Sequence, residues 1–147
     1  MPVVTIRPAT ADDANALTEL MHGSAAYRGR YASILDGYAI TPEQIAKDVF
    51  RVAEQYDARS GFYSLALAGE PELDLMFVAD SAQGKGIGAL LFRHMMGEAR
   101  RRGVSVLKIV SHPPSVGFYQ AMGATIIGTK PPTAKATWSR PILSLTI

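Results

Sequence analysis

Two spacings of hydrophobic residues alternate along this chain, and each predicts one kind of secondary structure. Apolar residues that recur every three or four positions predict helices, as Ala14, Leu17 and Met21 do. Short runs rich in β-branched and aromatic residues predict strands. Strands are expected at 3–7, 50–55, 61–68, 72–79, 104–110, 124–128 and 142–146, and helices after Thr10 and Thr41 and at 89–102 and 115–122.

Two of these helices begin with residues that commonly cap a helix. Thr10 precedes a pair of aspartates, and Thr41 precedes a proline at the first helical position. The apolar face of the second helix continues to Val49.

Two segments are harder to assign. Residues 50–55 either extend this helix or form a hairpin with 61–68 around a turn at 57–60, and we favour the hairpin. Residues 23–38 lack a clean period and are interpreted as helix broken by loop.

The order of the elements predicts an α/β fold of the α+β type. Hairpins come early and β-α-β units come later, so the sheet should contain both antiparallel and parallel strand pairs. The 147 residues suit one domain, which we place at 1–147. Neither a repeat nor a low-complexity tract interrupts it.

Composition narrows the classes of function. Hydrophobic residues make up 48% of the chain, which allows a buried core, and the net charge of only +2 disfavours nucleic acid as a partner. Cysteine is absent, which excludes disulfides and thiolate chemistry, and three scattered histidines do not predict a metal site. No apolar run approaches the roughly 20 residues of a membrane span, so no membrane partner is expected and the cytoplasm is the expected location.

A glycine-rich turn is the most informative run in the sequence. Residues 83–88 read QGKGIG and stand between a predicted strand and a predicted helix. The first N–H groups of a helix have no internal partner, so a phosphate or pyrophosphate fits there. The run does not match the P-loop, because no Lys-Ser or Lys-Thr pair follows the last glycine, and it does not match the dinucleotide fingerprint. A loop that merely needs positive φ angles is the alternative explanation.

Two motifs in this chain resemble those of the GNAT family of acetyltransferases. Residues 72–88, a strand followed by Gln-x-x-Gly-x-Gly at a helix start, look like motif A of that family. Residues 114–124, with the dipeptide Phe118-Tyr119, resemble its motif B in the expected order and separation. The sequence departs from motif B at Pro114, where the family often has Asn, and at Ala124, where the family often has an aromatic residue. The resemblance implies a mixed, mostly antiparallel sheet of six or seven strands with about four helices, splayed at the cofactor site.

The same resemblance implies acetyl-CoA as co-substrate, no metal, and direct transfer of the acetyl group to an amine in a ternary complex. Backbone N–H groups of the turn would hold the pyrophosphate, and an N–H of Phe77 or Val78 would face the thioester carbonyl. The cofactor residues implied are Met76, Phe77, Val78, Gln83, Gly84, Lys85, Gly86, Ile87, Gly88, Ala89, Ser115 and Phe118.

Three residues are expected to move protons. Tyr119 aligns with the family's general acid, and a phenol with a pKa near 10 is protonated at neutral pH. Glu72 and Asp74 are two positions apart on one strand, so both should point to one face and either could take a proton from the amine. The structural alternatives are that Tyr119 only packs its helix against the sheet and that the two acids face solvent.

The acceptor is expected to be a small-molecule amine, bound near His22, Tyr27, Tyr31 and Trp138, and a homodimer is possible. Three alternatives stay open: a module that binds acyl-CoA without catalysis, acetylation of a protein amine, and a DNA-binding helix that uses Arg93 and residues 100–102.

Overall fold

The central sheet has the strand order β1–β2–β3–β4–β5–β7–β6. The computed structural model describes residues 3–24, 27 and 29–147, and within them it has seven strands and four α-helices. The strands are β1 (Thr5–Pro8), β2 (Val49–Gln55), β3 (Ala58–Ala66), β4 (Glu72–Val78), β5 (Val106–Val110), β6 (Thr125–Lys130) and β7 (Arg140–Thr146). The helices are α1 (Ala14–His22), α2 (Pro42–Lys47), α3 (Ile87–Arg101) and α4 (Val116–Ala121), with 3-10 turns at Ala11–Asp13, Gly29–Leu35, Asp80–Ala82 and Pro113–Ser115.

The predicted fold class is confirmed, since β4 and β5 form a parallel pair and the other neighbouring strands pair antiparallel. The hairpin of β2 and β3 is also confirmed. Its turn consists of Tyr56 and Asp57 and not of the predicted residues 57–60. Both residues adopt positive φ (54° and 59°), as a tight hairpin turn requires. Val49 belongs to β2 and not to α2, whose first turn is capped by Thr41 Oγ1 accepting from the Gln44 N–H (3.1 Å).

Hydrophobic side chains fill both faces of the sheet. On one face, α3 packs Leu91 and Met95 against the central strands. On the other face, α1 and α2 pack Leu17, Met21 and Ile45 against β2, β3 and β4. Leu90 of α3 is one of the exposed large hydrophobic residues, because it lies away from the face of α3 that packs on the sheet.

A buried carboxylate fixes the start of α1 to the sheet. Asp13 is 1% exposed and accepts two hydrogen bonds from Arg7 (2.8 Å each), one from Arg59 (2.9 Å) and one from the Thr10 N–H (2.8 Å). These contacts join α1, β1 and β3 around one charge.

Strand β4 departs from regular pairing in two ways. Ser64 of β3 faces Leu75, but Leu65 faces Leu73, so Asp74 is the extra residue of a β-bulge. On its other side, β4 pairs with β5 only at Glu72 and Lys108, where the Lys108 N–H donates to the Pro71 carbonyl (3.0 Å). Beyond this point the two strands diverge, which confirms the predicted splay.

Candidate active site

A cleft of about 400 Å³ opens where β4 ends and α3 begins. Its lining includes all the predicted cofactor residues except Lys85, together with the predicted acid Tyr119 and the predicted acceptor residue Tyr27. Pro114, where the sequence departs from motif B, also lines the cleft, as do Ser24 and Ala82, which were not identified from the sequence. The two motifs therefore meet at one site, motif A on the β4–α3 side and motif B on α4.

The glycine-rich turn leaves its backbone open toward the cleft. Gly84 and Gly86 have φ of 75° and 77°, and a Cβ at either position would meet no heavy atom within 4 Å. Gly86 is also the N-cap of α3, whose first internal hydrogen bond runs from the Leu90 N–H to the Gly86 carbonyl (3.0 Å). The preceding N–H groups of α3 have no partner within the helix and suit an anion such as a pyrophosphate.

One hydrogen bond and one missing side chain position this turn against its neighbours. The side-chain amide of Gln83 donates to the carbonyl of Val78 (3.0 Å), which ties the turn to the end of β4. A Cβ at Gly88 would lie 3.4 Å from the Phe118 ring and 3.7 Å from Val78 Cγ2. The absence of a side chain at Gly88 therefore lets α3 start close to α4.

The divergence of β4 from β5 leaves backbone groups of β4 facing the cleft. The Ala79 N–H donates to the Ser60 carbonyl (2.8 Å), so it points toward β3. Since N–H groups alternate in direction along a strand, the Phe77 N–H points toward β3 as well and the Val78 N–H points into the splay. Of the two residues considered from the sequence, Val78 thus has the N–H that is free to face a ligand.

The Tyr119 side chain lies in an aromatic environment. Its ring centroid is 5.4 Å from Phe118 and 6.2 Å from Phe92. Burial raises the pKa of the Tyr119 phenol, and the nearby Tyr27 raises it further. The phenol is therefore protonated at neutral pH, as a proton donor must be.

The predicted bases lie in a different place. Glu72 and Asp74 line a second cavity of about 250 Å³, which we call the charged cavity because Lys130 and Arg140 also line it. Tyr38, Val110 of β5 and apolar residues of Gly29–Leu35 and β4 complete its walls. Desolvation and then the neighbouring Glu72 carboxylate raise the pKa of Asp74.

Strand β4 does not keep the regular alternation that would bring Glu72 and Asp74 to one face. Strict alternation would put Leu73 and Phe77 on one face of the sheet, yet they pack in the cores of opposite faces. The bulge at Asp74 shifts the alternation by one residue. Glu72 and Asp74 share a cavity because of this local geometry and not through a regular strand.

The predicted acceptor residues are partly brought together. Tyr27 stacks on His112 (4.1 Å, 12°) beside the cleft, and Tyr31 contacts both His112 (5.5 Å) and Trp138 (4.9 Å) edge-on. His22 is exposed at the end of α1, where its Nε2 donates to the Tyr38 carbonyl (2.7 Å), and among the described residues it lines neither cavity.

His112 was not predicted as a site residue, because nothing near it in the chain indicates that it packs on Tyr27. His94 forms a hydrogen bond between its Nδ1 and the Tyr63 hydroxyl (2.8 Å). Within the described part of the chain, no three His, Cys, Asp or Glu side chains cluster as metal ligands do. In the same part, no helix is both long and apolar enough to cross a membrane.

Comparison with known proteins agrees with the motifs. The family model described as an acetyltransferase (GNAT) domain matches residues 38–133. No curated protein matches the chain significantly.

Solved structures match over the whole length. A GCN5-related N-acetyltransferase from Rhodopseudomonas palustris is 17% identical, with a TM-score of 0.79 and coverage of 100% of this chain and 98% of that one. The PaiA N-acetyltransferase from Thermoplasma acidophilum, in complex with coenzyme A, is 16% identical, with a TM-score of 0.77 and 99% of each chain covered. A GNAT family acetyltransferase from Elizabethkingia anophelis with acetyl-CoA bound is 19% identical, with a TM-score of 0.70 and 98% of each chain covered. At these identities the likeness concerns the fold.

Proposed function

Because this chain belongs to the GNAT family of acetyltransferases, we propose that it transfers the acetyl group of acetyl-CoA to the amine of a small molecule. The observation that carries this proposal is the 400 Å³ cleft, where the open glycine turn at the start of α3 faces the phenol of Tyr119 on α4. A loop that only needs positive φ would not require a phenol opposite it.

The residues of the cleft fit the cofactor. Open space beside Gly84 and Gly86, and the unpaired N–H groups that follow, suit the pyrophosphate. The apolar side chains of Met76, Val78 and Phe118 suit the uncharged arm of the cofactor. Proteins of the same fold are known with coenzyme A or acetyl-CoA bound, which supports the same ligand here.

Acetyl-CoA would supply an acetyl group activated as a thioester, and the amine would replace the thiolate on it. The Val78 N–H faces the splay, where it would stabilise negative charge on the carbonyl oxygen; one such preorganised donor is typically worth about 2.7–4 kcal/mol. Tyr119 would give its phenolic proton to the departing sulfur. Glu72 or Asp74 would remove a proton from the amine, directly or through water.

A thiol-release assay with acetyl-CoA and a panel of amines tests the function. The panel should contain amino acids, polyamines, aminated antibiotics and peptides with a free N-terminus. We expect release that depends on a small amine. Calorimetric binding of CoA with no release for any amine would indicate the non-catalytic module. Release with long peptides alone, and with no amino acid or dipeptide, would indicate a protein acceptor.

Two properties stay predictions. The single domain over 1–147 is tested by a single cooperative unfolding transition. The homodimer is tested by light scattering during size-exclusion chromatography, where a mass near 15.8 kDa would indicate a monomer.

A further inference from the structure

We propose that the acceptor amine also carries a carboxylate, as an amino acid or a short peptide does, and that Arg140 binds this carboxylate in the charged cavity. The proposal rests on the proposed acetyl transfer and adds the class of acceptor to it.

Groups of opposite charge line the cavity from different strands. Glu72 and Asp74 come from β4, whereas Lys130 and Arg140 are register partners on β6 and β7. The two carboxylates favour an ammonium group, and the two cations favour an anion. A polyamine would meet two repelling cations, and a purely anionic ligand would meet two repelling carboxylates. A molecule with both charges is complementary to both sets.

Arg140 has an unused hydrogen-bonding group. Its Nε is buried and finds no hydrogen-bond partner among the residues that the structure describes. Other arginines of the chain hold carboxylates, as Arg7 and Arg59 hold Asp13. A buried donor without a partner costs free energy, and a guanidinium matches a carboxylate with two parallel hydrogen bonds. A ligand carboxylate would therefore satisfy this group.

Arg140 also lies near the place where transfer would occur. Its charge acts on the Tyr27 phenol and partly offsets the burial that raises the pKa of Tyr27 to about 12. Tyr27 lines the cofactor cleft, and Arg140 lines the charged cavity. Strand β4 lines both spaces, so an acceptor held by Arg140 in the charged cavity would have its amine toward the strand that the two spaces share.

The size of the cavity limits the acceptor. Its volume of about 250 Å³ is below the roughly 300–1,000 Å³ of sites for drug-sized ligands. Ile34, Leu35 and Leu75 give it apolar walls. These dimensions suit an amino acid with an apolar side chain or a short peptide.

Matched acceptors test the preference in the wild-type protein. We would compare kcat/KM for leucine, leucinamide and 3-methylbutylamine, and for the dipeptide Gly-Leu and its amide, each corrected to the concentration of free amine. The carboxylate forms should be favoured by about 10- to 100-fold, the range that hydrogen bonds to charged groups give. Acetylation of amines without such a preference would overturn the inference and leave the proposed function intact. No acetylation of any amine would remove both.

Variants at Arg140 test the residue. Arg140→Gln should abolish the preference by lowering kcat/KM for the carboxylate forms alone, with unchanged rates for the amides and unchanged CoA affinity. Arg140→Lys should retain part of the preference because it keeps the charge. Arg93→Gln, at an exposed position of α3, is the control and should behave as wild type. A full preference in Arg140→Gln would overturn the assignment, and if that variant does not fold, the wild-type panel still decides.

Discussion

Gly86 and Gly103 lie at opposite ends of α3 with the same φ of 77°, and a Cβ at either would meet no heavy atom within 4 Å. For both, a side chain would be strained by the left-handed backbone and not by a neighbour. Only Gly86 lines the cleft. Comparing variants at the two glycines therefore separates the effect of a left-handed residue on folding from its effect on ligand binding.

Replacing each of these glycines by alanine gives the first prediction. Gly86→Ala and Gly103→Ala should each lower the free energy of unfolding by about 1–2 kcal/mol, the usual cost of a left-handed residue. Only Gly86→Ala should also weaken CoA binding, by about tenfold or more, because its strain disturbs the N–H groups that would hold the pyrophosphate. Thermal unfolding and calorimetric titration measure the two effects. Equal CoA affinities in the two variants would place the phosphates elsewhere.

Asp13 gives a prediction about acid stability. Hydrogen bonds from Arg7, opposed by burial and aided by Thr10 and Arg59, lower the pKa of Asp13 below its usual range. The stability from this lowered pKa is present above the unfolded pKa of about 3.9, and it is lost as pH falls through the folded pKa. Asp13→Asn should cost about 1.5–3 kcal/mol at pH 7 and less as the pH approaches the folded pKa. Denaturant unfolding from pH 7 down to pH 3 measures this, and a cost that stays constant with pH would contradict it.

The two carboxylates of β4 give a prediction about the pH profile. Burial and the neighbouring Glu72 raise the pKa of Asp74, so with Asp74 as the base the wild-type rate should rise with pH at a higher pH than for an unperturbed aspartate. Glu72→Gln or Asp74→Asn, whichever removes the base, should lower kcat/KM at pH 7 by about 10²- to 10⁴-fold. The loss should shrink toward the pKa of the amine, because the acceptor then deprotonates unaided.

The control for this experiment is Glu43→Gln, which changes an exposed acid on α2. It should leave the pH profile of kcat/KM unchanged. A wild-type profile in Glu72→Gln, in Asp74→Asn and in the double variant would show that neither carboxylate takes the proton.

The parts of the structure that could be predicted are those encoded in short stretches of sequence. Spacing within α3 and the alternating glycines of 83–88 are local signals, and both appear where expected. The bulge at Asp74 could not be predicted, because the apolar residues on either side of it continue without a break and only the pairing with β3 reveals the shift.

Residues that meet only through the fold were also missed. His112 stacks on Tyr27, and Arg140 shares a cavity with Glu72, across long separations in sequence. Nothing near either residue distinguishes it from an ordinary buried histidine or an ordinary strand arginine. Tyr119 could be proposed from the sequence because a motif carries it, not because its surroundings could be predicted.

Single-turnover acetyl transfer by Tyr119→Phe tests most directly whether this cleft carries out the reaction. The variant keeps the ring beside Phe92 and Phe118 and removes only the proton donor. Tyr63→Phe is the control, since it removes another buried phenol, bonded to His94, and should cost about 0.5–1.5 kcal/mol of stability without slowing transfer. With enzyme in excess over acetyl-CoA, product release cannot hide the chemical step. We predict that Tyr119→Phe slows transfer by about 10²- to 10⁴-fold with CoA affinity unchanged; a wild-type single-turnover rate would contradict the role of Tyr119 as the acid.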